Sequence, residues 1–148
     1  MSTRASKRAG TRTDIGYLLA KASQHWNELL AEAFRRQGYG EVRPSYGSVL
    51  VPLFEEDGLR MGELASRARL AKQTMTTMVR LVERAGLVQR LPDADDARAT
   101  RVHLTERGRR FRPVAERELL RLEALVTTQL GERRTAALRA SLAQLADV

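Results

Sequence analysis

No cysteine occurs among the 148 residues, which excludes a disulfide framework, a thiol redox switch and a thiolate metal site. Histidine is almost as scarce. His25 and His103 fall on different segments, so neither has the clustered partners a metal requires, and no metal is expected. No apolar run approaches the roughly 18 residues needed to cross a bilayer, and the basic N-terminal stretch lacks the apolar centre of a secretory signal. There is no Ser/His/Asp or Cys/His set, no paired-carboxylate site and no phosphate-binding Gly-rich loop, so neither catalysis nor a cofactor is expected. What is there is the composition of one soluble globular domain, 43% hydrophobic and 30% charged, for which a cytoplasmic location is expected.

The formal charge of +8 is unevenly spread: residues 1–12 carry +4, 13–59 carry −3, 60–110 carry +6 and 111–148 carry +1. The excess sits on the N-terminal tail and on one internal segment. A localised basic surface attracts a polyanion and releases its counterions on binding. A plainly solvated arginine-rich surface accounts for the same number, so charge alone leaves both readings open.

Apolar spacing divides the chain further. Residues 1–12 have almost nothing to bury and are expected to form a disordered basic tail. From Ile15, apolar residues recur at steps of three and four through Leu18, Leu19, Trp26, Leu29, Leu30 and Phe34. That spacing predicts a long amphipathic helix, capped by Asp14 and ending near Gly38. Pro44 fits the first turn of a second helix, whose buried face is Val49, Leu50, Leu53 and Phe54; Pro52 inside it should bend or shorten it. Thr105 can cap a long helix from about Glu106 to Leu130, with a kink expected near Phe111 to Pro113. Gly131 separates this from a last helix, Glu132 to Ala146, with Leu138, Leu142 and Leu145 on one face.

Long apolar helices at both ends exceed what a small central domain can bury. Two-fold pairing with a second copy resolves this most simply. Residues 13–40 and 111–148 are therefore expected to form a helical dimerisation region, with Ile15, Leu18, Leu19, Leu138, Leu142 and Leu145 at the interface. Residues 41–110 form the domain between.

Within that domain, Met61 to Ala65 carry a short helix, Leu70 marks a turn, and a second helix runs from about Ala71 to Ala85. Gly86 ends it. Leu87 to Arg90 and Thr100 to Leu104 then read as two strands, with Leu59-Arg60 as a very short third. This is the layout of a winged helix-turn-helix within a mainly α (α+β) fold. On the 71–85 helix, Met75, Met78, Val79 and Val82 face inward, leaving Lys72, Gln73, Thr74, Thr76, Thr77 and Arg80 as a polar face of the kind that enters a major groove. Gln73 suits an adenine edge, and the methyls of Thr74 and Thr77 suit thymine. A run of β-branched threonine lowers helix propensity, which points to a demand other than helix stability.

In the loop from Leu91 to Ala99, Asp96 is expected to pair with Arg98 or with the loop backbone and so fix the tip. Arg98 is then presented to a minor groove, whose negative potential attracts arginine. Arg90 and Arg101, on the strands, are candidates for phosphate contacts, which position a protein without reading sequence. A winged helix also serves as a protein-interaction module without specific DNA binding. The basic 60–110 segment and Arg98 favour DNA.

Taken in order, Leu64-Ala65, Leu70, Thr74 through Val79, Leu81 through Arg90, Asp96-Ala97-Arg98 and Leu104-Thr105-Glu106-Arg107-Gly108 resemble the MarR family of bacterial transcriptional regulators. The resemblance covers nearly the whole chain, since one long helix before and two after the winged segment also match. It implies a homodimer joined through Ile15–Phe34 and Phe111–Leu145. Its two recognition helices would enter successive major grooves of an inverted-repeat operator, with half-sites ~10 bp apart, while the wings reach the flanking minor grooves. Members are most often repressors, which implies a place on the nucleoid. Many respond to small aromatic or phenolic ligands held between the dimer helices and the winged domain, a region expected to include His25, Trp26 and Tyr46. The peroxide-sensing mechanism of some members needs a cysteine that this chain lacks, and Pro52 departs from the family pattern.

Overall fold

The computed structural model describes residues 12–147. The tail expected over residues 1–12 lies outside the described residues except for Arg12, whose guanidinium meets Asp14 at 2.9 Å. Helix α1 (Ile15–Arg36) starts where the Asp14 carboxylate accepts the Tyr17 N–H, occupying one of the donors left free at a helix start. Only Leu30 and Phe34 of its apolar stripe are buried. A 3-10 turn over Pro44–Tyr46 leads into α2 (Gly47–Glu55). Pro44 thus opens a 3-10 turn and not the α-helix itself. Pro52 lies inside α2, which stops at Glu55, so the helix is short, as a proline ring that deletes one backbone bond requires.

Strand β1 (Leu59–Arg60) runs directly into α3 (Met61–Ala68). The left-handed backbone of Arg69 (φ 53°) reverses the chain at the end of α3. Helix α4 (Lys72–Arg84) follows across this turn and ends at Gly86, whose φ of 81° lets the Leu87 N–H fold back onto the Val82 carbonyl. Strands β2 (Val88–Pro92) and β3 (Thr100–Leu104) pair antiparallel, and β1 adds to the other side of β3, giving the order β1-β3-β2. In that register Arg60 lies opposite Arg101, and Leu91 lies opposite Arg101 on the far side.

Helix α5 (Glu106–Leu130) is capped by Thr105, whose hydroxyl accepts the Gly108 N–H at 3.1 Å. It runs as one helix with Pro113 inside it, where a kink is expected. Gly108 is a packing requirement: a Cβ there would collide with the Leu87 carbonyl oxygen. Gly131 (φ 81°) separates α5 from α6 (Glu132–Ala146).

The core sits where α2, α3 and α4 close over the sheet. Leu53, Leu59, Leu64, Met75, Val79, Val82, Leu87 and Val102 are each at most 1% exposed. A second layer joins α1 to α5, with the rings of Phe34 and Phe111 packed edge to face at 4.9 Å. Beyond that layer the apolar stripes run out into solvent. Helix α6 has no buried residue at all.

Candidate nucleic-acid interface

Helix α4 presents two faces because its inward residues recur at helical spacing. Met75, Val79 and Val82 are fully buried, and Met78 packs against the same core. On the opposite side Lys72, Gln73, Thr74, Thr77 and Arg80 are exposed and Thr76 is half-buried. The hydroxyls of Thr76 and Thr77 donate to the carbonyl oxygens of Lys72 and Gln73, at 2.9 and 3.2 Å. With those hydroxyls turned back to the backbone, the methyl groups are what these threonines offer outward. That arrangement suits apolar contact with a thymine methyl, while Gln73, Lys72 and Arg80 keep their polar ends free among the described residues.

The wing is built differently from its sequence-based picture. Arg90 is bound to Glu83 of α4: its backbone N–H, Nε and Nη2 all donate to that carboxylate, at 3.2, 3.2 and 3.0 Å. The guanidinium lowers the Glu83 carboxyl below its ordinary range. Arg101 donates from Nε to Asp93 at 2.9 Å and from Nη1 to the Gly58 carbonyl at 2.8 Å. Both arginines are therefore ion-paired, with side chains that stay about a third exposed. Each has a carboxylate close by that holds its charge within the protein.

Of the two partners open to Asp96, it takes the backbone: its Oδ1 accepts the Arg98 N–H at 3.0 Å, and its carbonyl accepts the Ala99 N–H at 3.0 Å. The Arg98 guanidinium is exposed and unpaired among the described residues. The tip therefore offers one arginine outward on a loop held by its own backbone.

Asp93 is the residue that sequence reasoning missed. It lies at the neck of the wing with its side chain 1% exposed, and its carboxylate accepts from Arg60 (Nη2 2.6 Å, Nε 3.0 Å), from Arg101 and from the Asp95 N–H at 2.9 Å. The Asp95 N–H, then the Arg60 and Arg101 guanidiniums, hold the Asp93 carboxyl down at about 2. A signal was present in the sequence. Arginines at 60 and 101 fall on strands that neighbour each other, and two like charges placed opposite require an anion between them.

The residues expected around a ligand are not brought together. His25 and Trp26 line an open groove of about 870 Å³ between α1, α5 and α6, where Leu19, Leu122, Leu138 and Leu142 also lie. Tyr46 is buried in the core and lines neither this groove nor a second pocket. That second pocket, about 390 Å³, lies between α1, α2 and α5 and is walled by Leu30, Phe34, Leu50, Phe54 and Phe111, with Arg43 and Arg112 also lining it. The interface residues expected at the chain ends are all exposed, from Leu138 at 40% and Leu19 at 41% to Ile15 at 69%. Among the described residues no helix is long and apolar enough to cross a membrane.

Comparison with known proteins follows the same division. Residues 44–100 match the model of the MarR family. The HTH-type transcriptional regulator TtmR of Methylorubrum extorquens (strain PA1) is 39% identical over 61 residues, 41% of this chain but only 31% of that protein's length. A probable transcriptional regulator from Pseudomonas aeruginosa superposes with a TM-score of 0.76 at 26% identity, covering 89% of this chain and 96% of that one. The transcriptional repressor CouR, solved bound to a 23-mer DNA duplex, gives 0.76 at 26% identity, with 90% and 92% covered.

Proposed function

From a chain that belongs to the MarR family of transcriptional regulators, we propose a sequence-specific, double-stranded-DNA-binding regulator, a repressor that grips an inverted-repeat operator as a homodimer. The observation that carries this reading is the pairing of an exposed polar face on α4 with an unpaired arginine at the wing tip. In this proposal Gln73, Thr74 and Thr77 read base edges in the major groove, and Lys72, Thr76 and Arg80 support them. Arg98 enters the adjacent minor groove. Asp96 orders the tip. Arg90 ties the wing to α4, and Arg101 ties β3 to Asp93 and to the Gly58 carbonyl, with both still placed to meet phosphates from the wing strands.

Residues 41–110 act as the DNA-binding domain, and 13–40 with 111–148 as the dimerisation region. The exposed leucines of α1, α5 and α6 support that division, because apolar surface on this scale is seldom left to water. For a small aromatic effector, the pocket between α1, α2 and α5 is a better seat than the one first expected. It has the size of a small-molecule site, apolar walls and four charged side chains, Arg43, Glu55 and the ion-paired Arg112 and Glu116. Ordering or moving α2 against α5 there would shift the recognition helices. Operator binding places the protein on the nucleoid.

The test is binding of wild-type and R98A protein to a duplex that the wild type enriches from a random-sequence pool, measured at fixed salt. R98A is expected to weaken binding by roughly 1–3 kcal/mol, the worth of one good groove contact. A wild-type protein that enriches no duplex ends the DNA-binding reading, and unchanged affinity in R98A ends the role given to the wing.

A further inference from the structure

Beyond Arg101, where the pairing with β1 stops, the wing is a two-stranded ribbon whose direction is poorly fixed by its own pairing. Something must aim it. The hydrogen bonds within the tip order residues 93–99 among themselves: the Asp93 N–H donates to the Ala99 carbonyl at 2.9 Å, and Asp96 gathers Arg98 and Ala99. None of those bonds reaches the helices. Arg90 ties the base of β2 to Glu83 of α4, and nearer the tip the link outward is the Asp93 carboxylate. Its Oδ1 takes the Asp95 N–H, on the tip side. Its Oδ2 takes both guanidiniums, on the body side.

Arg60 is the residue just before α3, and its own N–H donates to Glu63 in the first turn of that helix at 3.3 Å. Arg101 is anchored in turn to the Gly58 carbonyl. One buried carboxylate therefore joins the neck of the wing to β1, β3 and the start of the helix-turn-helix. Charged hydrogen bonds to planar guanidiniums are directional, so they fix how the neck meets the body.

Building on the DNA-binding reading above, we propose that Asp93 is a positioning residue that aims the wing tip, and with it Arg98, relative to α3 and α4. Its effect on DNA binding passes through Arg98 and not through general stability.

The experiment is a double-mutant cycle at positions 93 and 98, using the duplex that the wild-type protein enriches from a random-sequence pool, at one salt concentration. D93N keeps the shape, removes the charge and turns an amide N–H toward a guanidinium. D93N and R98A are each expected to weaken binding roughly tenfold, and the double variant to bind no more weakly than R98A alone. In the free protein, amide exchange at Asp95, Arg98 and Ala99 is expected to quicken in D93N while the amides of α4 keep their protection. Losses that multiply in the double variant overturn the proposal, because they place the action of Asp93 elsewhere. Unchanged exchange at the tip overturns it too. A wild-type protein that enriches no duplex overturns the DNA-binding reading and this proposal with it, an outcome distinct from the other two. If D93N does not fold, R60Q is read the same way, since it removes one guanidinium and leaves the carboxylate in place.

Discussion

The winged-helix middle and the helical ends share the same kind of apolar spacing and end up in opposite states. In the middle, Leu53, Leu64, Met75 and Val79 lie at 1% exposure or less. At the ends, Ile15, Leu120 and Leu125 are all more than half exposed. Periodicity makes a helix two-faced, but burial depends on whether another element closes over the apolar face. In the middle, a tight turn at Arg69 and another at Gly86 return the chain onto its own helices. At the ends, α1, α5 and α6 leave an open groove among themselves. The middle closes over its apolar faces within one chain; the ends leave theirs uncovered.

Three experiments break or sharpen that contrast. The largest expected effect is on the middle. Leu64→Ala should lower the unfolding free energy by about 2–5 kcal/mol, as for a large side chain removed from a rigid core. A urea titration shows it, and a loss under about 1 kcal/mol would mean that this core is not closed. The next is on the ends. Leu19→Glu with Leu142→Glu replaces two groove leucines, each worth roughly 1.5–3 kcal/mol when buried. Self-association should weaken by at least about a hundredfold. Sedimentation equilibrium should then pass from two subunits to one, with secondary structure retained. A wild-type chain already sedimenting as one subunit erases the contrast.

The smallest effect is pH-dependent and confined to the wing. The Asp93 carboxyl lies at about 2 against an ordinary 3.8. Its folded value is depressed, so the stabilisation it contributes is complete above the unfolded value, near pH 4. That stabilisation drains away as pH falls toward 2. Amides of the wing should lose protection across that interval before those of α4 do, and D93N should remove the pH dependence. Wing and helix opening together, with or without Asp93, would show that the carboxylate does not control the neck.

Much of this architecture was legible in local chemistry. Asp14 and Thr105 are caps because their short side chains reach the free N–H groups of a first turn. Gly86 and Gly131 end helices because their backbones take positive φ at little cost. The division of α4 into a buried apolar face and an exposed polar one followed from spacing alone. Other features were hidden because they depend on residues distant in sequence. The left-handed Arg69 has no glycine to announce it. The restriction at Gly108 comes from the Leu87 carbonyl arriving from the previous strand. The resemblance puts Tyr46 near a ligand, and only the fold shows that it lies in the core.

The arginines mark the boundary most clearly. Their number and clustering, and hence the basic 60–110 segment, belong to the sequence. So do the side-chain caps at Asp14 and Thr105, which depend on neighbours one turn away. Which arginines stay free was decided by the tertiary fold. Pairing β1 with β3 brought Arg60 and Arg101 to one carboxylate, the turn at Gly86 brought Arg90 to Glu83, and Arg98 was left at the tip. Charge is carried by composition, but its availability is a matter of distance, and only folding sets distances between remote residues.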